Sequence, residues 1–115
     1  MKLYEPTIYV LKQIPLFGLV QEQIYQVLTE AKILSLIKSN FVVKYYDSFF
    51  LNNCLNIVME YCDGGDLCNY ICECRNIGVP LSEELIWKIF IQIAIGLSSI
   101  HKIKILHRDF KPLNI

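Results

Sequence analysis

Apolar positions change their spacing several times along the chain, and each change marks an element. "TIYVLKQIP" (Thr7 to Pro15) is rich in β-branched and aromatic residues and closes on a proline, which predicts a strand. Residues 20 to 38 switch to helical spacing, with Val20, Ile24, Val27, Leu28, Ala31 and Leu34 forming one stripe. "FVVKYYDSFF" (Phe41 to Phe50) and "CLNIVMEY" (Cys54 to Tyr61) predict two strands joined by a turn at Asn52-Asn53. Asp63-Gly64-Gly65 is a turn or hinge signal. A short helix is predicted from Asp66 to about Arg75, and Gly78 to Pro80 form a connector. Ser82 is placed to cap a longer helix, with Glu83 and Glu84 in its favourable first turn and Leu85, Ile89, Ile93, Leu97 and Ile100 on its buried side. That helix should end near His101, after which "IKILHRDF" predicts a short strand entering a loop. The double glycine thus separates a β-rich half from a helical half, an α+β organisation divided into residues 1–61 and 62–115.

Composition adjusts this picture. A length of 115 residues suits one modest domain or a piece of a larger one. Hydrophobic residues make up 54% and charged residues 19%, so the chain is globular in composition. Its mean hydropathy of +0.38 is high for a small self-contained domain and implies apolar faces meant to be covered by further sequence. Eleven basic residues balance eleven acidic ones, which argues against nucleic acid or an anionic membrane as the partner. The N-terminus lacks the layout of a signal peptide. The greasiest run, Ile86 to Leu97, is interrupted by Lys88 and Gln92 and falls short of a membrane span. A soluble, cytoplasmic protein is expected.

The five cysteines, Cys54, Cys62, Cys68, Cys72 and Cys74, are read as free thiols. Cys68 and Cys72 share a helix face at i, i+4, with Cys74 nearby. No paired Cys-x-x-Cys or matching His cluster accompanies them, which favours packing or surface thiols over a metal site.

Two charged residues stand in apolar company. Lys12 lies inside the first predicted strand, and Glu30 falls between Val27, Leu34 and Ile37 on the helical wheel. A half-buried charge is costly unless paired, and the two relieve each other if the helix packs on the sheet. The alternative is that Lys12 snorkels and Glu30 rims the helix.

The last residues carry the densest chemistry. "HRDFKPLN" (His107 to Asn114) resembles the catalytic loop His-Arg-Asp-x-Lys-Pro-x-Asn of eukaryotic protein kinases at all six fixed positions. Tyr9-Val10-Leu11-Lys12 stands where such kinases have Val-Ala-Ile-Lys, and Glu30 stands where the partner glutamate of the first helix belongs. "NIVMEYCDGGDL" (Asn56 to Leu67) resembles a kinase fifth strand and hinge. With "KYYDSF", the hinge is most similar to the NIMA-related branch. The resemblance covers nearly the whole chain and implies part of a bilobal kinase fold.

It also implies roles. Asp109 would accept or orient the proton of the substrate hydroxyl, Asn114 would hold Mg2+, and Lys111, typical of serine/threonine kinases, would face the transferring phosphoryl group. Lys12, fixed by Glu30, would hold the ATP α- and β-phosphates. Met59 falls at the gatekeeper position, the backbones of Glu60 and Cys62 would bond the adenine edge, and Asp66 would meet the ribose. Arg108 in such kinases pairs with a phosphorylated activation-loop residue. His107 is better read as a packing residue of the loop, and His101 as a solvated residue at a helix end. The function implied is an ATP-dependent serine/threonine protein kinase acting on a protein substrate. A cytoskeletal or ciliary association would follow only from the subfamily resemblance.

Departures from the pattern are small. Phe110 replaces a leucine, and Val10 replaces an alanine that would lie against the adenine. The absences are larger: no Gly-x-Gly-x-x-Gly precedes Lys12, Gly18 follows it, and no Asp-Phe-Gly follows Asn114. The residues therefore match the middle of a kinase domain. The alternative reading is a truncated, inactive fragment that serves as a binding module or is a non-functional remnant. Alone, the 115-residue chain is expected to be poorly soluble and inactive towards protein substrates.

Overall fold

The computed structural model describes residues 7–115; the opening six, with the start of the 1–61 region, lie outside the described residues. The described residues pack as two compact units, one of residues 7–38 and 43–61, the other of residues 39–42 and 62–115.

The first unit holds three antiparallel strands and one helix. Strand β1 is Tyr9–Pro15, β2 is Tyr45–Leu51 and β3 is Cys54–Glu60, in the order β1-β3-β2. β2 and β3 meet at Asn52 and Asn53, whose φ values of 51° and 57° are the left-handed pair that a tight two-residue hairpin demands and that asparagine tolerates. In the β1–β3 register Val10 faces Met59, Lys12 faces Ile57 and Ile14 faces Leu55. Directly opposed residues share a face, so these six lie together on one side of the sheet.

Helix α1 (Gln21–Leu36) supplies the cover for that face. Ala31 is buried with Leu55 and Ile57, and Ile14, Leu16, Val27, Leu34, Tyr45 and Met59 pack around them. The predicted stripe is therefore the packing face, except that Val20 and Leu28 remain exposed. Val20 is the residue before the helix. Its N–H donates to the Gln23 side chain at 3.0 Å, but a valine offers no oxygen in return, so the N-terminus is only half capped.

Central strand β3 is buried on both faces, and the sequence pattern missed the polar member of that run. Asn56 is fully buried: its Oδ1 accepts from Gln13 Nε2 at 2.8 Å and its Nδ2 donates to the Cys54 carbonyl at 3.2 Å. Both amide ends are occupied, as burial requires.

In the second unit, α2 spans Leu67–Asn76 and α3 spans Glu83–Lys102. Ser82 caps α3 as expected, accepting from the Leu85 N–H at 3.3 Å. Leu85, Ile89, Ile93 and Leu97 form the less exposed side, and Gly96 and Ile100 are buried. The opposite side is open, with Ile86, Trp87, Phe90, Ile91 and Ile95 all exposed. With 20 residues, and a mean hydropathy of 1.2 over an 18-residue window, α3 as a whole is long and apolar enough to cross a membrane, although its greasiest run is not. Length and composition do not make it a span, because the core helix of a folded domain passes the same test.

Two predicted boundaries are corrected. The strand expected from Phe41 begins only at Tyr45, because residues 39–42 pack with the helical unit. Gly96 makes that possible: a Cβ there would stand 2.8 Å from the Phe41 carbonyl oxygen. The strand expected in "IKILHRDF" is absent. Ile103 and Lys104 turn back on α3, donating to the Ile100 and His101 carbonyls at 3.2 and 2.8 Å. Lys104 and Arg108 then take left-handed φ values of 61° and 62°, which no strand accommodates.

Candidate active site

The candidate residues fall into two groups, one in each unit. In the first, Lys12 is carried by β1 and Glu30 by α1, on the side of the sheet that α1 covers. Lys12 Nζ lies 3.9 Å from Glu30 Oε1, so the packing brings the predicted pair together. The expected half-burial is not what drives it. The two side chains keep 50% and 61% of their exposure, and the pair is a long ionic contact at the margin of the core. Neighbours of Lys12 on its face, Ile14 and Ile57, fix the strand, and the ammonium extends past them to water.

Met59, near the end of β3, lies partly buried against the Ala31–Leu55–Ile57 cluster. Glu60, the next residue, is anchored twice to Lys44: its N–H donates to the Lys44 carbonyl at 2.9 Å, and its Oε2 accepts from the Lys44 N–H at 3.1 Å. This fixes the end of β3.

In the second unit Cys62 is exposed. Asp66 is the N-cap of α2, and both of its carboxylate oxygens are engaged by a single residue. Oδ1 accepts from the Asn69 N–H at 2.8 Å and Oδ2 from Asn69 Nδ2 at 2.9 Å. Its first duty is thus to the helix terminus. Asn69 was missed by the sequence reading, although an acidic cap followed three residues later by an amide is a legible signal.

The loop at 107–114 is tightly self-bonded. Lys111 Nζ lies 3.0 Å from Asp109 Oδ1. Asn114 Nδ2 donates to Asp109 Oδ2 at 3.1 Å and to the Asp109 carbonyl at 2.8 Å. A 3-10 turn at Pro112–Asn114, begun by a proline whose fixed φ suits the first helical position, aims the amide back at the aspartate. The hydrogen bonds from Lys111 and Asn114 hold the Asp109 carboxyl below its ordinary range. Asp109 is therefore anionic at neutral pH, and each of its oxygens retains a lone-pair direction for a further donor. With the Asn114 N–H groups turned to Asp109, its amide oxygen is the end left for other work.

His107 does pack, though not as a core histidine. It is exposed, its ring stands edge-on to Phe110 at 5.9 Å, and its Nδ1 accepts from the Asp109 N–H at 3.3 Å. That N–H also donates to the His107 carbonyl at 2.9 Å. His101 is exposed in the last turn of α3, as expected. Grooves at Leu16–Gly18 with Phe50–Asn53, and along α3 from Phe90 to Lys102, contain none of the candidate residues.

The model of the protein kinase domain matches residues 2–115. The chain belongs to the protein kinase domain family. Its sheet-and-helix unit and the helices that follow are those of the first lobe of a kinase and the start of the second. Similar proteins include the probable serine/threonine-protein kinase nek2 of Dictyostelium discoideum, 43% identical over 83% of this chain. Serine/threonine-protein kinase Nek5 of Homo sapiens is 49% identical over 75% of it, and Nek9 of Xenopus laevis is 37% identical over 96%. The NIMA-related resemblance of the hinge is thus matched by NIMA-related relatives. The chain spans 24%, 12% and 12% of these three relatives' own lengths.

Proposed function

We propose that the protein carrying this chain is an ATP- and Mg2+-dependent serine/threonine protein kinase. The observation that carries the reading is the Asp109–Lys111–Asn114 arrangement, in which a carboxylate is kept ionised by a cation and an amide from the same short loop.

Phosphoryl transfer asks a protein chiefly for position and charge. In this reading the substrate hydroxyl donates to Asp109 while its oxygen attacks the γ-phosphorus. The bond to the bridging oxygen breaks, ADP departs, and Asp109 takes up the proton. Lys111, on the same carboxylate, offers positive charge to the phosphoryl group in flight. A Ser or Thr hydroxyl is the acceptor, because a lysine two residues after the aspartate is the serine/threonine pattern. Lys12 meets the α- and β-phosphates, held to its task by Glu30, and the end of β3 at Met59 and Glu60, with Cys62 after it, meets the adenine. The residues present suit Mg2+: the amide oxygen of Asn114 is a hard neutral donor whose own N–H groups are already committed. When bound there, the ion would neutralise phosphate charge. Asp66 would reach a ribose only through lone pairs that Asn69 leaves free.

The test is phosphoryl transfer from ATP to a generic basic protein by the complete protein that contains these residues. Asp109→Ala should lower the rate by orders of magnitude, and Lys12→Ala should weaken nucleotide use. Transfer at the parental rate in Asp109→Ala would refute the assignment. Absence of transfer in the parent protein would favour the binding-module reading, which the open apolar side of α3 supports.

A further inference from the structure

Four of the five cysteines lie in the helical unit, and two of them stand one above the other on α2. Residues four apart on a helix have Cβ atoms about 5–6 Å from each other on the same face. Cys68 and Cys72 occupy such positions on α2. Cys68 is half-buried and Cys72 exposed, so the pair is seated against the unit on one side and open to solvent on the other. Cys74, two residues beyond Cys72, projects from a different side of the helix.

We propose that Cys68 and Cys72 form a two-thiol clamp for a thiophilic centre that takes two sulfur ligands, with trivalent arsenic in an organoarsenous acid as the chemical class that fits. Among the described residues no group of three or more His, Cys, Asp or Glu side chains is placed to hold a metal ion, so a closed four-ligand zinc site is not on offer. The Asp66 carboxylate, at the start of α2, is bonded through both oxygens to Asn69. Two sulfurs are what the surface presents.

Electrostatics narrows the class further. Partial burial first, then the neighbouring Cys72 and Asp66, push the Cys68 thiol up, so a lone thiolate there is disfavoured. Reagents that need a thiolate nucleophile gain little from such a site. Condensation with an organoarsenous acid, R–As(OH)2, consumes two neutral thiols. Two As–S bonds form, two As–O bonds break, and the two thiol protons leave with the hydroxyls as two waters. No electrons are transferred, and no anion is left beside Asp66.

Phenylarsine oxide, hydrated in water to the dihydroxy form, is the probe. The protein carrying this chain should take up at this pair one tightly held equivalent that excess monothiol does not remove and a vicinal dithiol does. Cys68→Ser and Cys72→Ser should each weaken uptake at least tenfold, since closing the second As–S bond within one helix turn replaces a bimolecular step at millimolar effective concentration. Cys74→Ser and Cys54→Ser should leave it unchanged. A second measurement needs no variant: in the loaded parent protein, alkylation followed by peptide mapping should leave, of these five cysteines, Cys68 and Cys72 alone unmodified. Protection of a different pair, or equal loss in Cys74→Ser, would overturn the clamp.

Discussion

The candidate residues form two halves, one in each unit, built in opposite ways. Lys12 and Glu30, eighteen residues apart in sequence, come from a strand and a helix, and they meet because Ala31 of α1 packs with Leu55 and Ile57 of β3, the strand beside β1. Their contact is long, at 3.9 Å, and both groups stay wet. Asp109, Lys111 and Asn114 come from one stretch of six residues, and three contacts between 2.8 and 3.1 Å tie them together. The first geometry is an outcome of tertiary packing, and the second is written into a loop. One half therefore depends on the core beneath it and the other on its own hydrogen bonds.

The largest expected effect comes from removing the packing under the first half. Ile57 is 1% exposed and stands opposite Lys12, so Ile57→Ala should cost about 2–5 kcal/mol and loosen β1 against α1. The comparison predicts that the Asp109 loop is spared: NMR signals from residues 107–114 should shift far less than those of Lys12 and Glu30. Equal disturbance of both would show that the loop is not self-sufficient.

Next in size is Gly96→Ala, aimed at the helical unit. Alanine should favour a helix interior by about 1 kcal/mol. Here the added methyl meets the Phe41 carbonyl oxygen at 2.8 Å, a backbone atom that moves only with residues 39–42. A net destabilisation of about 1–3 kcal/mol in chemical unfolding is expected, because overpacking outweighs propensity. A stabilised variant would mean that the segment gives way freely.

Smaller still is the effect of Lys12→Ala on stability. A solvent-exposed ion pair contributes about 0–1 kcal/mol, so the unfolding midpoint should barely move. Nucleotide binding by the complete protein should fall sharply all the same. A large stability loss with unchanged nucleotide binding would reverse that assignment and make Lys12 a structural residue.

How much of this was legible in the sequence follows the same division. Contacts set by local spacing could be read directly: the Asn52-Asn53 turn, the Ser82 cap, the less exposed side of α3, and the close sequence neighbours that become the Asp109 loop. The resemblance of "HRDFKPLN" and of the Lys12–Glu30 spacing supplied the pairing across elements, which periodicity alone left open. Three things were not readable, two of them because they depend on distant residues. Asn56 is buried because Gln13 on the neighbouring strand completes its amide. The strand after Phe41 starts late because Gly96, more than fifty residues on, admits that backbone segment. The strand expected at 103–110 fails because Lys104 and Arg108 adopt left-handed conformations that their residue types do not announce. The exposure of Glu30 belongs with these, since a helical wheel places a residue on a stripe but not how far the covering sheet extends over it.

The finest test of the comparison is the titration of Asp109. Its carboxyl is held below the ordinary value of 3.8, first by Lys111 and then by Asn114. A group whose folded-state pKa is depressed stabilises the fold above its unfolded value, and that contribution disappears as pH falls through the folded value. For Asp109 the effect on global stability should be slight, because the side chain keeps 66% of its exposure and solvent screens it. The carboxyl carbon resonance reports the site itself. Its midpoint should lie below the ordinary one in the parent chain and move up towards it in both Lys111→Ala and Asn114→Ala, with the larger move in Lys111→Ala. It should not move in Lys12→Ala or Glu30→Ala, whose charges belong to the other unit. If the midpoint followed Lys12 instead, the two halves would be electrostatically joined, and the loop would owe its charge state to more than its own six residues.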